Sequence, residues 1–445
     1  MNTPICDFVN RYSESGTLRM HMPGHKGVSL VGAESLDLTE IVGADSLYEA
    51  CGVIAESERN ASELFGSHTV YSTEGSSQCI RAMVYLLYLG AREQGKTPRI
   101  LAGRNAHKTF LSALALLDAE VAWLCPREDE SYLSCSVDAE TLEARLAADG
   151  GITAVYLTSP DYLGNTVDLA AISEICHRHG VLLAVDNAHG AYLKFLPESR
   201  HPIDLGADIC CDSAHKTLPT LTGGAYLHVA EDAPALMHEQ IKNAMAVFGS
   251  TSPSYLILQS LDMTNRYLAE GYASRLADFT GKVRALRARL TECGYTLTGD
   301  EPMKLTLETK GYGYHGYDFA QMLRERGVEC EFCDPDFVVL MPSPETGEEG
   351  LARLERALLS VPQKSPVFCE PPSFHLPAVA MSPREAMLSP REILPIEKCQ
   401  GRILADMTVG CPPAVPIAVC GEVLDEKTLA RFAYYGIENC TVVKS

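Results

Sequence analysis

The chain has 445 residues, of which 46% are hydrophobic and 21% are charged, so it can bury a large core and form two or three domains. Its formal charge of -21 at pH 7 argues against nucleic acid and anionic membranes as partners and allows a cationic substrate. The amino terminus lacks the pattern of a signal peptide, and no apolar run approaches the roughly 18 residues of a membrane span, so we expect a cytoplasmic protein.

The first 60 residues are rich in glycine, histidine and charged side chains and predict an extended arm with little core of its own. From 61 to 295, short apolar runs alternate with helical patterns. For example, apolar runs at 154–158 and 181–185 flank a helical pattern at 169–176. This alternation predicts an α/β domain with a mostly parallel sheet and helices on both faces.

One long helical pattern, at 255–293, closes this large domain. Residues 296–361 mix strand and helix patterns and predict a smaller α+β domain. Residues 362–382 contain five prolines and predict a linker. The remaining residues, 383–445, would form a carboxy-terminal module.

The 16 cysteines are scattered along the chain, and several lie inside apolar segments, as Cys176, Cys210 and Cys211 do. That distribution is typical of reduced, buried thiols. Cys330 and Cys333 form the only CxxC motif, and a zinc site would want a second pair or nearby histidines. We therefore expect no metal site and interpret these two thiols as lying at a strand edge.

Gly75, Ser76 and Ser77 precede an apolar helical pattern and would therefore open a helix. Free backbone N–H groups, the helix dipole and two hydroxyls make such a helix start suited to an anion, such as the phosphate of a cofactor. Serines that cap a helix are common, so this motif alone leaves a purely structural role open.

Two polar residues follow predicted strands. His107 comes after the apolar run at 100–102, where its ring could stack on a cofactor; a packed or capping histidine is the alternative. Asp186 ends the apolar run at 181–185, and ligands of α/β proteins bind outside the carboxyl ends of parallel strands. For this carboxylate, a helix cap or a turn is the alternative.

Lys216 follows the apolar run at 209–211, next to Ser213 and His215, whose side chains could bind phosphate. A lysine and a buried carboxylate, each in a polar cluster after an apolar run, fit a site for pyridoxal 5'-phosphate (PLP). Asp186 would hold the pyridine nitrogen protonated, and Lys216 would form a Schiff base with the cofactor.

Motifs spread over nearly the whole chain carry a family resemblance. They are Arg19–Gly27, Asp37–Glu40, Arg104–Lys108, Asp186–Gly190, Ser213–Leu218, Ser252–Tyr255, Gly401–Ile403, Pro412–Pro413 and Gly421–Glu422. Together they resemble the short, wingless members of the Orn/Lys/Arg decarboxylase family. The resemblance implies a PLP-dependent enzyme of the aspartate-aminotransferase fold (fold type I), with a mostly parallel sheet in its large domain.

The resemblance also implies a role for each candidate residue. Lys216 would carry the cofactor, Asp186 would pair with the pyridine nitrogen, and His107 would stack on the ring. Ala188 would lie against the opposite ring face, and His189 would lie near the cofactor in a role that stays open. The phosphate would be held by Gly75, Ser76, Ser77, Ser213 and His215. After carbon dioxide leaves, Lys216 or His215 would protonate the substrate carbon.

Members of this family form dimers whose active sites take residues from both subunits. The resemblance therefore implies a homodimer, with a higher oligomer left open. The amino-terminal arm and the segment Ser252–Tyr255 would help to complete a neighbouring site.

Some residues depart from the family pattern. Glu74, Asn187 and Gly223 stand where the family usually has asparagine, an acidic residue and glutamine. The departures leave the substrate open. The carboxylates of Glu329, Glu331 and Asp334 are candidates for binding a distal cation of the substrate, with solvated surface carboxylates as the alternative.

The leading hypothesis is decarboxylation of a basic amino acid, with arginine first and then lysine or ornithine, in polyamine supply or acid resistance. A second hypothesis is another fold type I reaction, either aminotransfer or decarboxylation of a different amino acid. A third is a regulatory paralogue that dimerises with an active decarboxylase.

Overall fold

The computed structural model describes residues 1–128, 130–407 and 414–444. Its α-helices are α1 (Pro4–Glu14), α2 (Val53–Phe65), α3 (Ser76–Glu93), α4 (Lys108–Leu117), α5 (Ala139–Ala148), α6 (Leu169–Arg178), α7 (Ala214–Thr217), α8 (Ala235–Val247), α9 (Tyr255–Ala269), α10 (Tyr272–Glu292), α11 (Gly316–Glu325), α12 (Gly347–Leu359), α13 (Pro383–Leu388) and α14 (Glu426–Tyr434). Within the described ranges, none of these helices has the length and apolar character needed to cross a membrane.

The strands alternate with the helices along the first half of the chain and cluster in the second half. They are β1 (His68–Ser72), β2 (Arg99–Gly103), β3 (Glu120–Leu124), β4 (Ala154–Thr158), β5 (Leu182–Asp186), β6 (Ile209–Asp212), β7 (Ala225–Val229), β8 (Thr296–Thr298), β9 (Leu305–Glu308), β10 (Phe332–Cys333), β11 (Phe337–Leu340), β12 (Arg391–Pro395) and β13 (Asn439–Val443). The predicted motif Pro412–Pro413 lies outside the described residues.

The first packing unit comprises residues 1–96 and 169–275, and its strands lie in the order β1-β7-β6-β5. Strands β5 and β6 are parallel, with Asp186 opposite Cys211, whereas β7 is antiparallel to both β6 and β1. Parallel neighbours end at the same edge of a sheet. The segments that follow Asp186 and Asp212 therefore start side by side.

Helix α3 packs on β6, β7 and α8 within this unit. Its buried side chains include Ile80, Met83, Val84 and Leu87, which follow the spacing of one helix face. The predicted helix after the serine pair is thereby confirmed. Its packing on the sheet fixes where the amino-terminal end of α3 lies relative to the ends of the strands.

The amino-terminal arm begins with a helix, which corrects the expectation of an extended segment with little core. Ile5 and Val9 of α1 are fully buried. The backbone N–H groups of Ile5 and Cys6, which have no partner inside a helix, both donate to Asp262 Oδ2 at 3.0 Å. After this helix, residues 15–52 of the arm contain neither a helix nor an extended strand.

The single helical pattern predicted at 255–293 is two helices. Helix α9 ends at Ala269, and α10 begins at Tyr272. Gly271 between them has φ +78°, a left-handed conformation that glycine adopts without steric cost. A helical periodicity continues on both sides of this break, so hydrophobic spacing alone does not reveal it.

The second packing unit comprises residues 97–168 and 276–445. Strand β2 lies between β3 and β4 and is parallel to both. These pairings and the β5–β6 pair agree with the predicted, mostly parallel large-domain sheet. A separate antiparallel sheet has the order β10-β11-β9-β8, and β12 pairs with β13.

A hydrophobic core joins the antiparallel sheet to the carboxy-terminal residues within this second unit. It includes Phe332, Val339, Leu404, Phe432 and Val442. The five predicted segments are consecutive stretches of the chain, whereas each packing unit combines two separate stretches. The predicted division stays a prediction.

A buried ion pair ties the carboxy-terminal residues to the end of β2 in the same unit. Arg104 and Glu422 are each 2% exposed in their side chains, and Arg104 Nη2 donates to both carboxylate oxygens at 3.2 and 3.0 Å. Both residues belong to motifs that the sequence singled out. Their contact gives those motifs a structural role, because each charge would be costly to bury alone.

Candidate active site

The amino-terminal end of α3 has the features of an anion site. Gly75 caps the helix with φ +73°, and Ser76 and Ser77 form its first turn. Ser213 Oγ donates to Ser76 Oγ at 2.7 Å, which links this helix end to the segment before Lys216. The two hydroxyls thus lie together at the positive end of the helix dipole, where an anion can bind. That this end holds a cofactor phosphate stays a prediction.

Two departures from the family pattern shape this loop. Gly75 N donates to Gly223 O at 2.7 Å, and Gly223 has φ +99°. A Cβ at Gly223 would lie 2.9 Å from the carbonyl oxygen of Thr73, so the backbone approaches too closely for a side chain. Glu74 accepts a hydrogen bond from the backbone N–H of Ser250. Both residues therefore hold the loop that precedes α3.

Lys216 lies in the short helix α7, directly after β6, and is half-buried. Its Nζ is 3.1 Å from Nε2 of His189, which is 5% exposed. His215 is held by its neighbour Gly224, whose carbonyl oxygen accepts from the backbone N–H at 3.2 Å and lies 3.0 Å from Nδ1. The amine thus has an imidazole within proton-sharing distance.

Asp186 ends β5, as predicted, and is 2% exposed. Its Oδ1 accepts from the backbone N–H of Ala188 at 3.2 Å and lies 3.7 Å from Sγ of Cys211 on β6. Ala188 itself is buried. Within the first unit, Asp186 thus follows β5, Lys216 follows the adjacent strand β6, and Ser213 links the Lys216 segment to the start of α3.

His107 belongs to the second unit. It is the residue before α4, and its Nδ1 accepts from Thr109 N at 3.1 Å and lies 2.9 Å from Thr109 Oγ1. This is the capping role that the sequence leaves open. A ring that stacks on a cofactor could carry the same hydrogen bond, so its assignment to the cofactor stays a prediction.

Sequence reasoning missed a buried polar cluster behind the lysine segment. Asp212 accepts from Asn187 Nδ2 at 2.6 Å, and its other oxygen lies 3.1 Å from His201 Nε2 and 3.2 Å from His228 Nε2. Burial alone would raise the pKa of Asp212, but the two imidazoles lower it well below its ordinary value. A histidine inside the otherwise apolar strand β7 is the signal that could have revealed the cluster.

The three carboxylates considered for a distal cation have other contacts in the second unit. Glu329 pairs with Arg324 at 2.9 Å, and Glu331 accepts from the Tyr162 hydroxyl at 3.1 Å. Asp334 is 3% exposed, so it is not a solvated surface carboxylate. Its Oδ1 accepts two backbone N–H groups of the turn that follows, at 2.8 and 2.7 Å.

We expect Asp334 to make the stability of the protein depend on pH. Burial, and next the neighbouring Asp336 carboxylate, raise the pKa of Asp334 from 3.8 to about 7. Because the folded protein prefers the protonated acid, the stabilising contribution is complete below the unfolded pKa and is lost as the pH rises through the folded one. We expect the unfolding free energy to fall by about 3 kcal/mol between pH 5 and 8.

The measurement is urea unfolding across that pH range for the wild type and for Asp334→Asn. The amide keeps the Oδ1 acceptor but cannot ionise, so the variant should lose this part of the pH slope. Glu329→Gln, which changes an exposed carboxylate of the same sheet region, should keep the slope. An identical slope in wild type and Asp334→Asn would show that Asp334 does not titrate in this range.

Comparisons with known proteins assign the chain to a family. A family model for the Orn/Lys/Arg decarboxylase major domain matches residues 3–296, and one for the C-terminal domain of these enzymes matches residues 369–439. The chain belongs to the Orn/Lys/Arg decarboxylase family. The resemblance seen in the sequence motifs and the predicted enzyme class, an amino acid decarboxylase, are thereby confirmed.

Individual relatives agree with this assignment. The chain is 30% identical to a protein named arginine decarboxylase from Halalkalibacterium halodurans, over 96% of this chain and 92% of that protein. It is 29% identical to an arginine decarboxylase of Bacillus subtilis, with the same shares of the two chains covered.

Solved structures confirm the predicted fold class. Lysine decarboxylase A from Pseudomonas aeruginosa superposes with a TM-score of 0.80 at 18% identity, over 99% of this chain and 80% of that chain. A serine palmitoyltransferase from Sphingomonas wittichii gives a TM-score of 0.57 at 16% identity, over 80% of this chain and 83% of that chain. At these identities the likeness establishes the fold alone, which is that of the fold type I enzymes.

Proposed function

We propose that this protein decarboxylates a basic amino acid, with arginine as the first candidate, on PLP held by Lys216. The observation that carries the proposal is the grouping of Lys216, buried Asp186 and the α3 helix end within one packing unit. The family and the relatives named arginine decarboxylase support the substrate class. The net charge of -21 allows a substrate that carries a cation.

The residues of the first unit fit PLP. The phosphate would bind at the start of α3, where Ser76 and Ser213 place two hydroxyls 2.7 Å apart at the positive end of the helix dipole. The space beside Gly75 is open, because a Cβ built there would meet no atom closer than 3.9 Å. The pyridine nitrogen would pair with Asp186, a buried carboxylate suited to a buried cationic N–H.

Bound PLP supplies an electron sink for the pair left when carbon dioxide departs. The chain supplies the positioning and the proton. Lys216 would bind the cofactor, release it to the incoming amino acid and return to discharge the amine. His189 Nε2 lies 3.1 Å from Lys216 Nζ, so it can hold or accept the lysine proton during these exchanges. Either Lys216 or His215 would donate the proton that the substrate carbon takes up after carbon dioxide leaves.

We also propose a cytoplasmic homodimer with shared active sites. Its support is the family resemblance and the exposed apolar side chains of the arm. Leu18, Met20, Leu30, Val31 and Val42 are each at least 75% exposed. Such a group of exposed apolar residues favours burial against another surface, for which a second copy of the chain is the proposed partner.

The two ends of the segment Ser252–Tyr255 differ in whether they could reach a neighbouring subunit. Tyr255 is fully buried, and its hydroxyl accepts from the backbone N–H of Asp45 at 3.1 Å in its own chain. Ser252 is exposed. Of the two named ends, only Ser252 is therefore proposed to reach a neighbouring site.

Purified protein supplied with PLP and given arginine, lysine and ornithine separately tests the proposal. We expect arginine to release carbon dioxide and the corresponding amine faster than the other two. A protein that binds PLP but releases carbon dioxide from none of the three would contradict the proposed substrate class. Stoichiometric keto acid would instead indicate aminotransfer, and altered activity only on mixing with a related decarboxylase would indicate a regulatory paralogue.

A further inference from the structure

Asn187 and Asp212 form a contact between the two segments that carry the proposed cofactor residues. Asn187 follows Asp186 directly, and Asp212 lies four residues before Lys216. Asn187 Nδ2 donates to Asp212 Oδ1 at 2.6 Å, and both side chains are fully buried. The backbone N–H of Asn187 adds a bond to Cys211 O at 3.0 Å.

The strand register places this contact on the opposite face from Asp186. Asp186 is paired with Cys211 across the parallel strands, and their side chains meet on one face. Because side chains alternate along a strand, Asn187 and Asp212 meet on the other face. Asp186 and Cys211 thus lie on the face of the proposed pyridine site. Asn187 and Asp212 join the same two segments on the opposite face.

The Asp212 carboxylate is held by three donors and does not depend on solvent. Besides Asn187, the Nε2 atoms of His201 and His228 lie at 3.1 and 3.2 Å from Oδ2. Thr69 Oγ1 lies 2.9 Å from the other nitrogen of His228. Burial lowers the pKa of His228, so its neutral form is favoured. Asp212 is therefore the fixed acceptor of the cluster.

The Asn187 amide has no room for another arrangement. A Cβ at Gly190 would lie 2.0 Å from Asn187 Oδ1, so this turn is closed around the amide oxygen. That oxygen is buried and has no hydrogen-bond partner among the described residues. Turning the amide over would place two N–H donors in this unpartnered position, which is costly. The side chain is thus locked with its Nδ2 toward Asp212.

We propose that Asn187 and Asp212 are positioning residues, whose hydrogen bond fixes the Asp186 segment against the Lys216 segment and thereby sets the geometry of the cofactor site. The inference rests on the proposed function. It gives the departure at Asn187 a purpose, because an acidic side chain at 187 would face the Asp212 carboxylate. Two facing carboxylates repel unless they share a proton.

The test uses three variants of the full-length protein. Asn187→Asp creates the opposed carboxylates. Asn187→Asp combined with Asp212→Asn exchanges amide and carboxylate, which restores the bond and leaves an amide oxygen to accept from both histidines. Asp208→Asn is the control, because Asp208 is also a buried carboxylate between β5 and β6 but accepts from Leu183 N at 2.7 Å at the opposite end of these strands.

Three quantities are measured for each protein: the PLP dissociation constant, the pH midpoint of the absorbance change of the bound cofactor, and the unfolding temperature without PLP. We expect Asn187→Asp to weaken PLP binding at pH 8 by about tenfold or more and to move the absorbance midpoint. The double variant should recover both values to within about threefold in binding. Asp208→Asn should lower only the unfolding temperature.

Unchanged PLP binding and midpoint in Asn187→Asp, or a double variant as weak as the single one, would overturn the inference. If Asn187→Asp does not fold without PLP, the double variant and the control still decide between the two outcomes. The proposed function fails separately, since it requires the wild type to bind PLP through Lys216 whatever the variants do.

Discussion

Lys216→Ala should abolish decarboxylation, with a loss of roughly 10,000-fold or more in the rate of carbon dioxide release. No other amine is placed in the described α7 segment after β6, and a methyl group can neither bond to the cofactor nor exchange protons with His189. The absorbance band of lysine-bound PLP should disappear at the same time. Carbon dioxide release and the visible spectrum, measured on one preparation, check both results.

Lys194→Ala is the matched control. Lys194 belongs to the same packing unit and is also largely buried, but its Nζ is paired with Asp204 at 2.5 Å. The control should keep the absorbance band and the rate. A Lys216→Ala protein that retains the band would show that another amine holds the cofactor, and the assignment of the site would then be wrong.

Local signals in the sequence predict where the candidate site residues lie better than they predict which residues surround them. Strand ends, helix starts and glycines leave local signals, so the positions of Gly75, Asp186 and Lys216 could be predicted from short segments. The parallel pairing of β5 and β6 follows from the alternation of strand and helix patterns. The helix start and the strand ends depend on residues close together in the chain, and the pairing of β5 with β6 follows from the order of neighbouring elements.

Contacts between distant segments could not be predicted in this way. The Asp212 cluster joins residues from the end of β5, a turn before β6, and β7, and only folding brings them together. Asp262 likewise satisfies the start of α1 from more than 250 residues away. A sequence pattern shows that a residue is polar within an apolar run, but it does not name the partner that makes its burial tolerable.

The same limit explains the two differences in secondary structure. The arm is polar and rich in glycine on average, yet Ile5 and Val9 lie on one helix face and are buried. The break between α9 and α10 needs a left-handed residue at Gly271, which changes the chain direction without changing the hydrophobic period. The first feature depends on packing and the second on the conformation of one residue, and average composition reveals neither.

Asp186→Asn should reduce carbon dioxide release by roughly 100- to 1,000-fold, the loss typical when one fixed electrostatic contact at a reacting centre is removed. The amide keeps the shape of the side chain and can still accept from Ala188 N. It lacks the negative charge that would hold the pyridine nitrogen protonated, and that protonated ring is what draws electrons from the bond to the leaving carboxylate. PLP should therefore still bind, while the rate of carbon dioxide release falls.

The rate of carbon dioxide release and the PLP dissociation constant, measured together, separate these two effects. Asp208→Asn removes a buried carboxylate at the opposite end of β5 and β6 and should leave the rate near that of the wild type. The order of the effects also matters. Lys216→Ala should lose the absorbance band and the rate, whereas Asp186→Asn should lose the rate and keep a band with an altered pH dependence. An Asp186→Asn protein as active as the wild type would mean that the ring nitrogen needs no buried charge, and the candidate site would then lose the carboxylate on which its electrostatics depend.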